Sequence, residues 1–150
     1  KKYNSSYKAP NYASLTVALP KEPNLLDVRN AVIEIRTNKL PDPNKIANTG
    51  SFFKNPIVTV KKVEELLKTY PEMPVYDYLE NRKIPAGWLI EQAGLKDYRQ
   101  SGIWVYNKQA LVLVNESANR YAELDLMINQ IRTAVYNKFG IQLEIEPEII

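Results

Sequence analysis

The sequence predicts an α+β fold, with a small mixed or antiparallel sheet packed against about four helices. Three observations lead there. Four segments carry apolar residues at helical spacing, several short apolar runs read as strands, and the two kinds mix without a regular strand–helix–strand rhythm. At 150 residues the chain has the length of one typical domain, enough to bury a real core.

Taken in order, Lys1 to Leu15 is polar and tyrosine-rich, so residues 1–20 read as a tail or lead-in and 21–150 as the domain proper. Leu15 to Leu19 has the composition of a short strand. Asn24 and Asp27 have the spacing of a capping box, and Leu25, Val28, Val32 and Ile35 mark a helix over residues 25–38. Prolines, Asn, Asp and a glycine make Leu40 to Gly50 a loop. Ile57 to Val60 reads as a strand. Val63, Leu66, Leu67 and Tyr70 then form a second helix, stopped by Pro71. A proline-containing loop covers residues 71–85, and Ala86 to Gln92 forms a short helix ending at Gly94, a left-handed cap position.

Ile103 to Tyr106 and Ala110 to Val114 are strand-like, with Asn107-Lys108-Gln109 as the turn of a hairpin. Tyr121, Leu124, Ile128, Ile131, Val135 and Phe139 mark the longest helix, closed by Gly140. Ile141, Leu143 and Ile145 alternate with Gln142, Glu144 and Glu146, the pattern of a half-buried strand.

Composition narrows the chemistry. Apolar residues make up 45% and charged residues 25%, ordinary for a soluble globular protein. The formal charge of +3 comes from scattered lysines and arginines, which argues against a nucleic-acid partner, and no apolar run or signal-like start points to a membrane. There is no Cys and no His, which removes disulfides, the usual zinc sites, thiol nucleophiles and histidine acid–base devices. Hydroxyls, carboxylates, amines and amides remain.

One string concentrates them: Gly50-Ser-Phe-Phe-Lys-Asn-Pro56. A glycine permits an unusual backbone angle, a hydroxyl follows, two aromatics can anchor the segment, and Lys54 and Asn55 suit phosphate or sugar oxygens. On residue types alone, a loop whose Ser caps a turn and whose Phe pair simply packs is the better explanation.

The string is similar to the signature of the UDP-N-acetylenolpyruvoylglucosamine reductases. Its neighbours resemble that family in the same order: Arg36 to Pro43 before it, Ala86 to Lys96 after it, then Lys108 to Asn115 and Ile145 to Glu148. The resemblance implies the C-terminal, substrate-binding domain of a cytoplasmic flavoenzyme of peptidoglycan precursor synthesis. Such an enzyme reduces the enolpyruvyl ether of UDP-N-acetylglucosamine to UDP-N-acetylmuramate with NADPH, through FAD. It implies Ser51 as proton donor to C2 and Glu148 as the carboxyl group assisting at the enolate-like intermediate, a role needing a dry site. Lys39, Asn55, Lys96 and Gln109 match polar positions around substrate or nicotinamide nucleotide. Tyr76 matches a tyrosine that closes over the nucleotide in one branch, with surface decoration as the other reading. Trp88 reads as a core residue.

The sequence also departs from the pattern. The glycine-rich pyrophosphate loop is absent, which leaves FAD to a missing N-terminal part, together with the arginine expected on the substrate carboxylate. Asp97 follows Lys96 where the family tends to have Gly, Ser101-Gly102 replaces a Gly-Gly pair, and Tyr106 stands where His or a smaller polar residue is common. Ile150 sits where an arginine would often follow. A non-catalytic nucleotide-sugar-binding module with the same fold is the alternative; retention of Ser51, Asn55 and Glu148 together favours the enzyme.

Overall fold

The computed structural model describes Leu15 and residues 18–148. The chain divides into two compact units, Lys1–Leu40 and Pro41–Ile150, a boundary that composition alone did not mark.

In the first unit, helix α1 (Leu25–Lys39) opens on the expected capping box. The Asn24 carboxamide oxygen accepts from the Leu26 and Asp27 N–H groups at 2.8 and 3.0 Å, and the Asp27 carboxylate accepts from the Asn24 N–H at 2.9 Å. Val28 and Ala31 are buried with Leu15, and Leu19 and Ile35 pack against them. Leu25 and Val32, expected on the buried stripe, are exposed. The strand expected at Leu15–Leu19 is not formed at the described positions, because Leu15 and Ala18 are helical. A lone strand would leave its backbone unpaired among the described residues of this unit, whereas a helical turn satisfies it locally.

The second unit holds two antiparallel sheets. One has the order β1 (Ala47–Ser51), β7 (Val112–Asn115), β6 (Ile103–Val105), β5 (Arg99–Gln100); the other has β2 (Ile57–Val58), β4 (Asn81–Lys83), β3 (Tyr76–Tyr78). Helices α2 (Val60–Thr69), α3 (Ala86–Gln92) and α4 (Tyr121–Phe139) complete it. Met127, Ile128, Ile131, Val135 and Phe139 form one stripe of α4, and they share a core with Ile103 and Val105 of β6, Leu113 of β7, Leu89 and Ile90 of α3, and Phe52 and Phe53. Trp88 is half-buried against that core, its ring 6.0 Å from Tyr70 and 5.8 Å from Phe139. The Glu123 carboxylate accepts from the Arg120 and Asn119 N–H groups at the start of α4, and these bonds hold it below the usual carboxylate range.

Several expected boundaries change. The loop over residues 40–50 contains β1, because a polar edge strand is held by the backbone of β7 rather than by its own side chains. The strand at residues 57–60 stops at Val58, since the Thr59 hydroxyl accepts from the Lys62 N–H and caps α2. Within the loop of residues 71–85, β3 and β4 form a hairpin. The expected C-terminal strand keeps its alternating burial, but its pairing is a single bridge between Phe53 and Ile145.

Candidate functional site

Gly50 to Pro56 threads through the core of the second unit. Gly50 has φ +73°, and its N–H donates to the Asn48 carboxamide oxygen at 3.0 Å, where β1 slips register against β7. Ser51 is paired with Val112 and exposed. Phe52 and Phe53 are then both buried in the one core, rings 5.3 Å apart. The backbone between them is tied to two neighbours. The Phe52 N–H donates to the Leu111 carbonyl at 2.8 Å, and the Phe52 carbonyl accepts from the Glu146 N–H at 2.9 Å. Ser51 is thus an exposed hydroxyl next to two buried aromatics on a doubly tied backbone.

The C-terminal segment is drawn to the same place. The Lys54 N–H donates to the Glu144 carbonyl at 2.9 Å, the two side chains pair at 3.5 Å, and Arg132 of α4 donates to the Leu143 carbonyl at 2.9 Å. Glu148 lies two residues beyond Glu146, close in sequence to this anchor, and is exposed. The dry setting expected for it is not supplied by the described residues.

Asn55 and Gln109 converge on the start of α3. The Asn55 carboxamide oxygen accepts from the Ala86 N–H at 2.9 Å, which satisfies a helix-end donor that Pro85 has no side chain to cap. That bond turns the Asn55 NH2 group into the donor available to a ligand. The Gln109 side-chain oxygen accepts a long bond from the Leu111 N–H, 3.4 Å, and would lie 2.8 Å from a Cβ at Gly87. Only glycine at position 87 lets that carboxamide sit there.

The remaining expected residues are dispersed. Lys96 is exposed and paired with Glu91 at 2.6 Å. Tyr76 is exposed on β3, at the edge of the other sheet, on the rung of Lys83. Lys39 ends α1 in the other unit.

Directly opposed residues of an antiparallel pair share a face. Ile103, Val105 and Leu113 belong to the core shared with α4, so Ser51, Val112, Val114 and Trp104 occupy the opposite face of the sheet. A cleft of about 480 Å³ between β1 and the start of α4 is lined by Thr49, Phe52, Leu113, Arg120, Tyr121 and Leu124 among others, and by none of the expected site residues. Among the described residues no group of His, Cys, Asp or Glu side chains gathers as a metal site.

Comparison with known proteins agrees with the motif. The family model described as UDP-N-acetylenolpyruvoylglucosamine reductase, C-terminal domain, matches residues 42–150. Relatives bearing the name UDP-N-acetylenolpyruvoylglucosamine reductase include one from Flavobacterium johnsoniae, 45% identical over 150 residues, covering 99% of this chain and 44% of the relative. One from Chromobacterium violaceum is 43% identical over 129 residues, 85% of this chain and 38% of the relative. One from Pseudoalteromonas translucida is 48% identical over 120 residues, 79% of this chain and 36% of the relative. The chain thus spans less than half the length of these curated relatives.

Proposed function

Because this chain belongs to the UDP-N-acetylenolpyruvoylglucosamine reductase family, through its C-terminal domain, we propose that it is the substrate-binding part of a reductase of bacterial peptidoglycan precursor synthesis. In this reading the substrate is UDP-N-acetylglucosamine enolpyruvate, the product UDP-N-acetylmuramate, the electron donor NADPH, and the compartment the cytoplasm. Residues 1–20 serve as the lead-in from the flavin-binding part, and 21–150 as the substrate domain.

FAD does not fit the residues described. Of the five glycines, Gly50, Gly94, Gly102 and Gly140 sit at positive-φ bends, and Gly87 packs against Gln109 inside α3. None begins a helix as a pyrophosphate cradle would. FAD is therefore assigned to the part of the enzyme outside this chain, and when bound there it would supply the hydride chemistry.

What this chain contributes follows from its own side chains. Hydride addition at C3 leaves charge at C2 that spreads into the carboxylate. The Ser51 hydroxyl gives its proton to C2; a carbon-centred anion is a strong enough base to take it. Glu148 assists at the carboxylate end. Asn55 donates its NH2 to a phosphate or sugar oxygen, and Gln109 offers its carboxamide beside it. Lys96 exchanges Glu91 for a ligand phosphate, and Lys39 and Tyr76 contact the nucleotide. The single observation carrying this reading is the placement of Ser51, exposed at the end of a segment whose neighbours are fixed by core packing and by the C-terminal strand-like segment.

The test is Ser51→Ala in the full-length protein. NADPH should reduce the flavin at the parent rate, while turnover of the enolpyruvyl substrate falls by about 10²–10⁴-fold, the range for a lost general acid. Parent-like turnover in the variant would remove Ser51 from the chemistry, whereas no turnover of that substrate by the parent would overturn the proposed reaction.

A further inference from the structure

We propose that Gly87 is a positioning residue for substrate binding: the missing side chain leaves the seat in which the Gln109 carboxamide rests against the first turn of α3. The inference rests on the substrate contact given to Gln109 above and adds the residue that sets it.

Glycine is unfavourable at this position on backbone grounds. Gly87 lies within α3, and the positive φ values that favour glycine fall on Gly50, Gly94, Gly102 and Gly140 instead. Inside a helix, glycine is the least favourable residue after proline and alanine the most favourable. The reason for glycine therefore lies in the space around it. A Cβ at position 87 would stand 2.8 Å from the Gln109 Oε1, 3.4 Å from the Leu111 Cγ and 3.7 Å from the Leu111 nitrogen. The two Leu111 distances are ordinary van der Waals contacts. Only the Gln109 oxygen is too close, and it is the far end of a flexible side chain. The fold would accept alanine here; the carboxamide would have to leave its seat.

The backbone of Gln109 is fixed as well. Its N–H donates to the Tyr106 carbonyl at 3.2 Å, and its carbonyl accepts from the Val112 N–H at 2.9 Å. Its Oε1 accepts the 3.4 Å bond from the Leu111 N–H, which leaves the NH2 group as the donor. One residue earlier in α3, the Ala86 N–H holds the Asn55 Oδ1 at 2.9 Å and leaves that NH2 in the same state. Ala86 and Gly87 thus gather two carboxamides from distant parts of the chain onto one helical turn. Paired amide donors suit the phosphate and sugar oxygens of a nucleotide sugar. A contact of this kind holds substrate and transition state alike, so its loss acts on KM more than on kcat.

The experiment combines steady-state kinetics and thermal melts of Gly87→Ala, Gln109→Ala and the double variant in the full-length protein. Gly87→Ala should raise KM for UDP-N-acetylglucosamine enolpyruvate roughly 10-fold at near-constant kcat, the effect of one lost hydrogen bond. Flavin reduction at saturating NADPH should keep the parent rate. The Tm should stay at or above that of the parent, because alanine is the better helix former and the packing accepts it. Gln109→Ala should raise KM as much, and the double variant no further, since Gly87 acts through Gln109. Parent-like KM in Gly87→Ala beside a raised KM in Gln109→Ala overturns the proposal. Penalties that multiply in the double variant do so too, as does a lowered Tm or poor folding of Gly87→Ala, which would make the glycine a packing residue. Parent-like KM in Gln109→Ala removes instead the substrate contact assigned to Gln109, and the proposal with it.

Discussion

Two segments of the second unit need left-handed backbone, and they meet the need differently. In Gly50–Pro56 the left-handed residue is a glycine, and the side chains that follow are tied into the fold. Phe52 and Phe53 fill the core, Lys54 pairs with Glu144, and Asn55 holds the start of α3. In Leu95–Gly102 two of the three left-handed residues are not glycine. Asp97 has φ 61° and Ser101 φ 51°, beside Gly102 at 78°. Asp97 and Ser101 are exposed, and the ion pairs around Arg99 are surface pairs of small value. These two are also the positions read above as replacing glycines of the pattern the sequence resembles. The difference shows that the fold imposes the backbone angle regardless of the residue supplied. Strain is tolerated in the exposed turn, whereas the segment bearing Ser51 is fixed from both sides.

The comparison breaks most visibly at its buried end. Phe53 is 1% exposed, touches Phe52, and carries the bridge to Ile145. Phe53→Ala should cost about 3–5 kcal/mol by combining lost transfer energy with a cavity. It should also release the C-terminal segment, seen as faster amide exchange at Lys54 and Glu146. A loss under about 1 kcal/mol in denaturant unfolding would mean that the segment is not fixed by its core, and the contrast with the exposed turn would collapse.

In the turn, the glycine that does remain should be nearly as sensitive. A Cβ on Gly102 would stand 2.5 Å from the Ser117 hydroxyl oxygen and 2.8 Å from the Ala118 backbone nitrogen. The Gly102 carbonyl also accepts from the Glu116 and Ser117 N–H groups. Gly102→Ala adds left-handed strain to a backbone clash, for about 2–4 kcal/mol in a thermal or denaturant melt. A neutral result would show that the turn yields freely, so that its angles are not imposed by the sheet.

These cases also show what was legible beforehand. Elements that carry their own periodicity, such as α3, α4 and the β6–β7 hairpin, could be read from spacing, because their apolar faces are written locally. The polar Ala47–Ser51, the Tyr76–Lys83 hairpin and Arg99–Gln100 could not, since only the backbone of a partner strand makes them extended. The site was legible as a string through its family resemblance. Its wiring was not: Asn55 reaches Ala86 across 31 positions, and Lys54 meets Glu144 near the other end of the domain. Neither long-range partner leaves a signal in spacing.

The smallest expected effect sharpens the comparison most, because its sign is opposite to the others. Ser101 carries a Cβ at φ 51°, which costs an L-residue about 1–2 kcal/mol, while glycine there would lose about 0.5–1 kcal/mol through the freedom of its unfolded chain. Ser101→Gly should therefore stabilise the protein by roughly 0.5–1 kcal/mol, a rise in Tm of about 1–4 °C for a chain of this size. Asp97→Gly should gain less, since Asp tolerates the left-handed region and the change removes the pair with Arg99. Differential scanning calorimetry on the parent and both variants reads the ordering directly. A gain at Ser101 larger than at Asp97 would locate the turn's strain in the residue lacking a tolerant side chain. A loss at both positions would mean that these side chains stabilise the turn in ways the backbone angle does not reveal, and the two segments would then differ in exposure but not in strain.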